Sequence, residues 1–202
     1  MVRITNFARG LRGVRVFWQC EEIGLPYEVA TIGFPYPDSY KALNPAGGVP
    51  FLEDEGGVGI NESVAIMLYL AERYGPTPLL PAKDDPAFAQ VLQLTVYSEA
   101  TIGGALNTLM ATHFMAPDAD KKNWTAGMTE GRVAHALGYV AGVLGDKPFL
   151  VGDELTLADI AIGTALGMWQ GALGKVIPAP LDAYRERLRA RPAYQRAMAK
   201  QG

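Results

Sequence analysis

Four arginines stand within the first fifteen residues, Arg3, Arg9, Arg12 and Arg15, with no acidic residue among them, a local charge of +4. Residues 16–80 hold two bases and nine acids, a charge of −7. An acid-free basic loop at the start of a helix is suited to stabilising an anion. A second anion seat is predicted at Asn61-Glu62-Ser63, where a serine opens a helix whose first amides lack partners and whose dipole favours negative charge. Other chemistries find little support. Cys20 is the single cysteine, lies about two turns inside a predicted helix, and reads as a buried core thiol. His113 and His135 have no neighbouring partner for general-base work, and their separation does not suit zinc, so no metal is expected. Tyr97, Phe114, Trp124 and Trp169 could line an apolar site, but aromatic residues at helical spacing are more often core, and none is assigned.

The elements that must position these residues follow from the pattern. The chain has 202 residues, 49 % of them hydrophobic and 19 % charged, with a net charge of −3 and a pI near 5.4. These values exclude intrinsic disorder and argue against general nucleic-acid binding. The start Met1-Val2-Arg3-Ile4-Thr5 carries no apolar leader, and no run suits a membrane span, so a cytoplasmic location without membrane contact is expected. Val2–Ile4, Tyr27–Ile32, Phe51–Glu53 and Val58–Ile60 read as strands. Helices are predicted over 12–24, where Gly24-Leu25-Pro26 supplies the stop, and from 61–63 onward, where Val64, Met67, Leu68 and Ala71 share one face. Asp54-Glu55-Gly56-Gly57 reads as a hairpin turn.

Residues 75–86 contain four prolines and mark a domain boundary. Beyond it only helices are predicted, roughly over 86–115, 119–145, 156–172 and 181–198. Thr156-Leu157-Ala158-Asp159 is a capping-box pattern, with Leu155 and Ile160 as its staple. The expected organisation is a β-α-β, β-β-α domain over 1–76, a linker over 77–86 and an all-helical domain over 87–202.

This layout resembles that of the soluble glutathione transferases. Gly-Leu-Pro-Tyr at 24–27, Leu-Asn-Pro at 43–45, Gly-Val-Pro-Phe-Leu at 48–52, Glu-Ser-Val-Ala-Ile at 62–66 and Leu-Thr-Leu-Ala-Asp-Ile at 155–160 are similar to that family's motifs, in order and at its spacing. The resemblance covers nearly the whole chain. It implies an α/β thioredoxin-like N-terminal domain that holds glutathione and an all-α C-terminal domain that supplies most of a site for an apolar electrophile. Val49-Pro50 resembles the family's cis-proline turn, whose backbone pairs with the cysteine amide of the tripeptide. Ser63 would take the γ-glutamyl carboxylate and Glu62 would face the ammonium group. A plain N-cap serine and an edge-strand proline are the ordinary alternatives.

The implied reaction needs a thiolate, whereas a free thiol has a pKa near about 8.5. Relatives place a tyrosine, serine or cysteine just after the first strand. Here Thr5-Asn6-Phe7-Ala8-Arg9-Gly10-Leu11-Arg12-Gly13 contains none of these. Thr5, Asn6 and Arg9 remain as candidate donors to the sulfur, with Arg12 as a candidate glutathione contact. The resemblance implies a detoxifying transferase that joins glutathione to an electrophile, acting as a homodimer. Glutathione-dependent isomerisation, dehalogenation, ether cleavage or disulfide reduction are alternatives, as is a non-catalytic binding module that keeps the fold.

Overall fold

The computed structural model describes residues 1–201. The chain divides into two compact units, Met1–Thr77 together with the segment from Arg189 onward, and Pro78–Leu188.

The first unit is built on a four-stranded sheet of order β2-β1-β3-β4, from β1 (Val2–Phe7), β2 (Tyr27–Ile32), β3 (Phe51–Asp54) and β4 (Val58–Ile60). β1 runs parallel to β2 and antiparallel to β3, and β3 pairs antiparallel with β4. Ile4 pairs with Val29 on one side and Leu52 on the other, which makes β1 one of the two interior strands, with β3 the other. The parallel pair requires a crossover, supplied by α1 (Leu11–Ile23), which stops at Gly24 with φ 66, where the Leu25 N–H donates to Cys20 O at 2.9 Å. α2 (Asp38–Leu43) connects β2 to β3, and α3 (Ser63–Arg73) follows β4. Asp54 closes the far end of the sheet by accepting hydrogen bonds from Tyr69 and Tyr74 of the α3 region.

The sequence pattern carries the helical domain through 202, but the last helix, α9 (Pro192–Ala199), packs against α1. Charge explains the pairing. Glu21 and Glu22 on α1 face Arg191, Arg196 and Lys200, at 2.6 Å for Arg191 to Glu22 and 2.7 Å for Arg196 to Glu21. Trp18 packs edge-on against Tyr194 with ring centroids 5.0 Å apart. Such a contact spans most of the chain and leaves no local signature.

The second unit comprises α4 (Pro86–Tyr97), α5 (Gly104–Met115), α6 (Trp124–Leu144), α7 (Leu157–Gly167) and α8 (Ala179–Arg189), the last ending where the first unit resumes. The pattern predicts one helix over 86–115, whereas a π-helical segment, Ser98–Gly103, separates α4 from α5. Thr95 and Ser98 donate to the carbonyls of Val91 and Thr95 just ahead of it, the back-bonding that bends helices. A second π segment, Met168–Ala172, follows α7. The helix expected from 119 begins at Trp124, capped by Asn123, whose side chain accepts from the Ala126 N–H at 2.9 Å. The run expected over 181–198 is two helices, with Pro192 in the first turn of α9. No helix among the described residues is long and apolar enough to cross a membrane.

Asp159 organises this unit. Fully buried, it accepts hydrogen bonds from the Leu150 N–H, the Tyr184 hydroxyl, and both the N–H and hydroxyl of Thr156, all at 2.7–2.8 Å. Burial pushes its carboxyl up from the usual range, and these donors oppose the shift. Replacement by alanine strands several buried donors at about 1–3 kcal/mol each. Asp159→Ala is therefore expected to cost at least about 3 kcal/mol and to lower the thermal midpoint by at least roughly 6 °C, as read by calorimetry.

The α1–α9 clamp gives a pH signature. Burial alone would raise the Glu21 carboxyl, but hydrogen bonds from Arg196, Lys200 and Tyr27 outweigh it and hold the group below its ordinary value. A depressed folded pKa stabilises above the unfolded value, and that contribution is lost as pH falls through the folded one. Urea unfolding should show Glu21→Gln less stable than the parent at pH 7, with the difference shrinking as pH drops below about 4.3, the ordinary glutamate value.

Candidate functional site

The loop leaving β1 is set by one buried side chain. Asn6 is 2 % exposed and its Nδ2 donates to Gly10 O at 3.0 Å. It lies so close beneath the first turn of α1 that a Cβ on Gly13 would come within 2.3 Å of it and one on Gly10 within 2.7 Å. Glycine at both positions is what lets the strand end approach the helix. Asn6 Oδ1 is buried without a hydrogen-bond partner. Thr5 is also buried, at 3 % exposure, within β1. Both candidates thus sit inside the unit, and Asn6 acts as a brace for the loop. Arg9 differs: it is exposed, with φ 58, and its N–H donates to Gln201 O at 3.2 Å. Gln201 in turn donates to Gly10 O at 3.2 Å, so the chain's end fastens the same loop. Arg12 is half-buried in the first turn of α1. That turn holds no acidic residue, and its N-cap Gly10 has no side chain to occupy the amides, which leaves the helix end open to an anion.

The second anion seat is equally open. Glu62, at the N-cap of α3, has φ 65 and ψ 108 and no capping side-chain hydrogen bond, and the first turn of α3 holds no acid. A non-glycine residue in the left-handed region persists only where its surroundings impose it, often at a functional site. Glu62 is exposed and Ser63 is 2 % exposed. Beneath them lies Arg15, which has no exposed surface and donates from Nη1 to Ser63 Oγ at 3.2 Å. One turn along α1, buried Gln19 donates from Nε2 to Met67 O at 2.8 Å.

The strand register brings the remaining candidates to the same end of the sheet. Thr5 pairs with Phe51, so Val49-Pro50, just before β3, enters beside the point where the β1 loop leaves. The bond before Pro50 is cis. Val49 is half-buried and Pro50 buried. Asn44 holds this turn in place: its Nδ2 donates to Gly47 O at 3.1 Å and Gly48 O at 3.2 Å, and Tyr40 Oη donates to Gly48 O at 2.6 Å. Asn44 Oδ1 accepts from Asn61 Nδ2 at 2.8 Å. A single asparagine therefore links the Val49 turn to the chain entering Glu62-Ser63.

Cys20 is fully buried, and burial, with the charge of Glu21 adding to it, pushes its thiol up to about 12, which leaves it protonated and inert. His113 and His135 are exposed. Among the unassigned aromatics, Trp169 is buried and donates to Val176 O, Tyr97 packs against Tyr139, and Phe114 and Trp124 are exposed. The spacing missed Arg15, Gln19 and Asn44. Arg15 and Gln19 stand four apart on α1 and meet Ser63 and Met67, four apart on α3. That match was available as a period, but its partner lay 48 residues away.

Models of the glutathione S-transferase N-terminal and C-terminal domains match residues 13–73 and 105–200. Bovine glutathione S-transferase theta-1 is 30 % identical over 178 residues, covering 82 % of this chain and 73 % of that protein. A probable maleylacetoacetate isomerase 2 of Drosophila melanogaster is 32 % identical over 158 residues, covering 74 % of this chain and 65 % of that protein. The chain spans from 28 % to 65 % of the length of the first four curated relatives it matches. Among solved structures, the theta class glutathione S-transferase of Xanthomonas axonopodis pv. citri with glutathione bound is 27 % identical, with a TM-score of 0.82 over 98 % of this chain and 96 % of that one. The first unit is thioredoxin-like and the second is the helical companion that follows it in such structures. With two open helix N-termini at one end of its sheet and matches of this extent, the chain belongs to the glutathione transferase family.

Proposed function

We propose that this protein is a glutathione transferase that joins the glutathione sulfur to an apolar electrophile. The observation that carries the reading is the Asn44–Asn61 bridge, which ties the cis Val49-Pro50 turn to the open N-terminus of α3. In this reading the Val49 backbone pairs with the cysteine amide, Ser63 and the first amides of α3 hold the γ-glutamyl carboxylate, and Glu62 faces the ammonium group. Arg12 contributes positive charge near the peptide. The theta class relative with glutathione bound supports this assignment of the tripeptide.

The sulfur arrives with the ligand, so an inert Cys20 is no obstacle. The open end of α1 and the exposed Arg9 guanidinium supply the field that favours thiolate over thiol, while Asn6 and buried Thr5 shape the loop that presents them. The thiolate then forms the carbon–sulfur bond, and the electrophile's leaving group departs with its electron pair, or an activated double bond takes up the pair and later a proton. Positioning and anion stabilisation supply the rate, with no covalent enzyme intermediate and no metal. Glutathione-dependent isomerisation is the second reading, favoured by the name of the fly relative. A cytoplasmic location and a role in detoxification are part of the same proposal.

Relatives' two-fold pairing is proposed here as well. The apolar groove along α4 lined by Phe88, Leu92, Val96 and Tyr97 is assigned to a second copy of the chain. Val96 is 43 % exposed. Sedimentation should show a dimer for the parent and a monomer for Val96→Glu; a monomeric parent would remove this part of the proposal.

Titration of the thiolate absorbance of bound glutathione tests the chemistry. Arg9→Ala is expected to raise the thiol pKa by about one unit, equivalent to about 1.4 kcal/mol, with glutathione still bound. An unchanged pKa would reassign thiolate stabilisation to the α1 amides alone.

A further inference from the structure

Arg9 occupies a backbone position that suits glycine. The Gly10 N–H donates to Phe7 O at 2.9 Å and closes a four-residue turn in which Arg9 stands third. Its φ of 58 lies in the left-handed region, where a side chain crowds the backbone and where turns favour glycine or asparagine. Among the described residues eight glycines and two other residues take up positive φ. The chain therefore fills such positions with glycine as a rule, and keeping a side chain at Arg9 has a conformational cost.

A strained residue persists when its surroundings over-determine it. Gln201, just beyond α9 and buried, grips the turn at two adjacent residues: its carbonyl accepts from the Arg9 N–H at 3.2 Å, and its Nε2 donates to Gly10 O at 3.2 Å. Asn6 Nδ2 holds the same Gly10 carbonyl at 3.0 Å. The Gln201 N–H donates to Met198 O at 3.2 Å, which ties this residue to α9, and the ion pairs of Glu21 and Glu22 tie α9 to α1. The main chain of Arg9 is thus anchored to two packed helices, while the residue itself is exposed. We propose that Gln201 is a positioning residue for the thiolate-stabilising charge, acting through Arg9; this rests on the glutathione reading above. The φ of Arg9 sets the direction in which its Cβ leaves the turn. Without the brace, relaxation to negative φ would redirect that bond and spread the guanidinium over a larger volume, so that its mean field at a bound sulfur falls.

The thiolate absorbance of bound glutathione, titrated in the parent, both single variants and the double variant, tests this. Gln201→Ala is expected to raise the thiol pKa by roughly half a unit, about a threefold change in ionisation constant, with glutathione still bound. The double variant should match Arg9→Ala alone, because the brace then has no charge to hold. Exchange of the Arg9 amide hydrogen should be faster in Gln201→Ala than in the parent, with or without glutathione. Should Gln201→Ala fail to fold, Gln201→Asn, whose shorter side chain falls short of Gly10, takes its place with the same expectations. Additive shifts in the double variant would show Gln201 acting on the α1 amides through Gly10 and overturn the inference, as would an unchanged thiol pKa in a folded Gln201 variant. An unchanged pKa in Arg9→Ala would instead overturn the role given to Arg9, and a parent that binds no glutathione would overturn the whole functional reading; either result removes this inference with it.

Discussion

The contact between α1 and α3 is the constraint on which the rest of the site depends. Two polar side chains one turn apart on α1 grip two positions one turn apart on α3, and all are buried. In an apolar interface many small sliding adjustments cost little. Here a slip would break two buried hydrogen bonds where no water can replace them, at about 1–3 kcal/mol for each group left unsatisfied. The helix N-terminus that offers its amides is thus held at a defined height above the sheet.

Smaller devices extend this rigidity to the surrounding loops. Asn44 satisfies two carbonyls of the turn before Val49 and accepts from Asn61, so that turn is tied to the chain entering α3. Asn6 performs a similar task beneath α1, where glycines at 10 and 13 leave room for it. The C-terminal segment completes the unit: Glu21 and Glu22 draw in α9, and Gln201 secures the loop carrying Arg9. In the proposed reading, preorganisation of this kind lowers the ordering cost of binding the tripeptide.

Much of this was legible in the chain itself, and for local reasons. The four strands and the first helix followed from alternation, apolar spacing and the Gly24 stop, because each depends on neighbours within a few residues. The Thr156–Asp159 box was readable for the same reason, though its reach to Leu150 and Tyr184 was not. The misread helices are instructive. The π segments at 98–103 and 168–172 arise inside uninterrupted helical periodicity, and the fold of α9 onto α1 arises from charge pairing across some 170 residues of sequence. Neither changes the apolar periodicity.

By itself the sequence determined the composition of the candidate site: a basic, acid-free start, a Val-Pro turn, a Glu-Ser helix opening, and no tyrosine, serine or cysteine over residues 5–13. Only the tertiary structure decided which of these groups are buried and which are exposed. It buried Thr5 and Asn6 within the unit, left Arg9 on the surface, and placed Arg15 in hydrogen-bond contact with Ser63. The physical reason is that burial is a property of packing between elements distant in sequence, which no local pattern records.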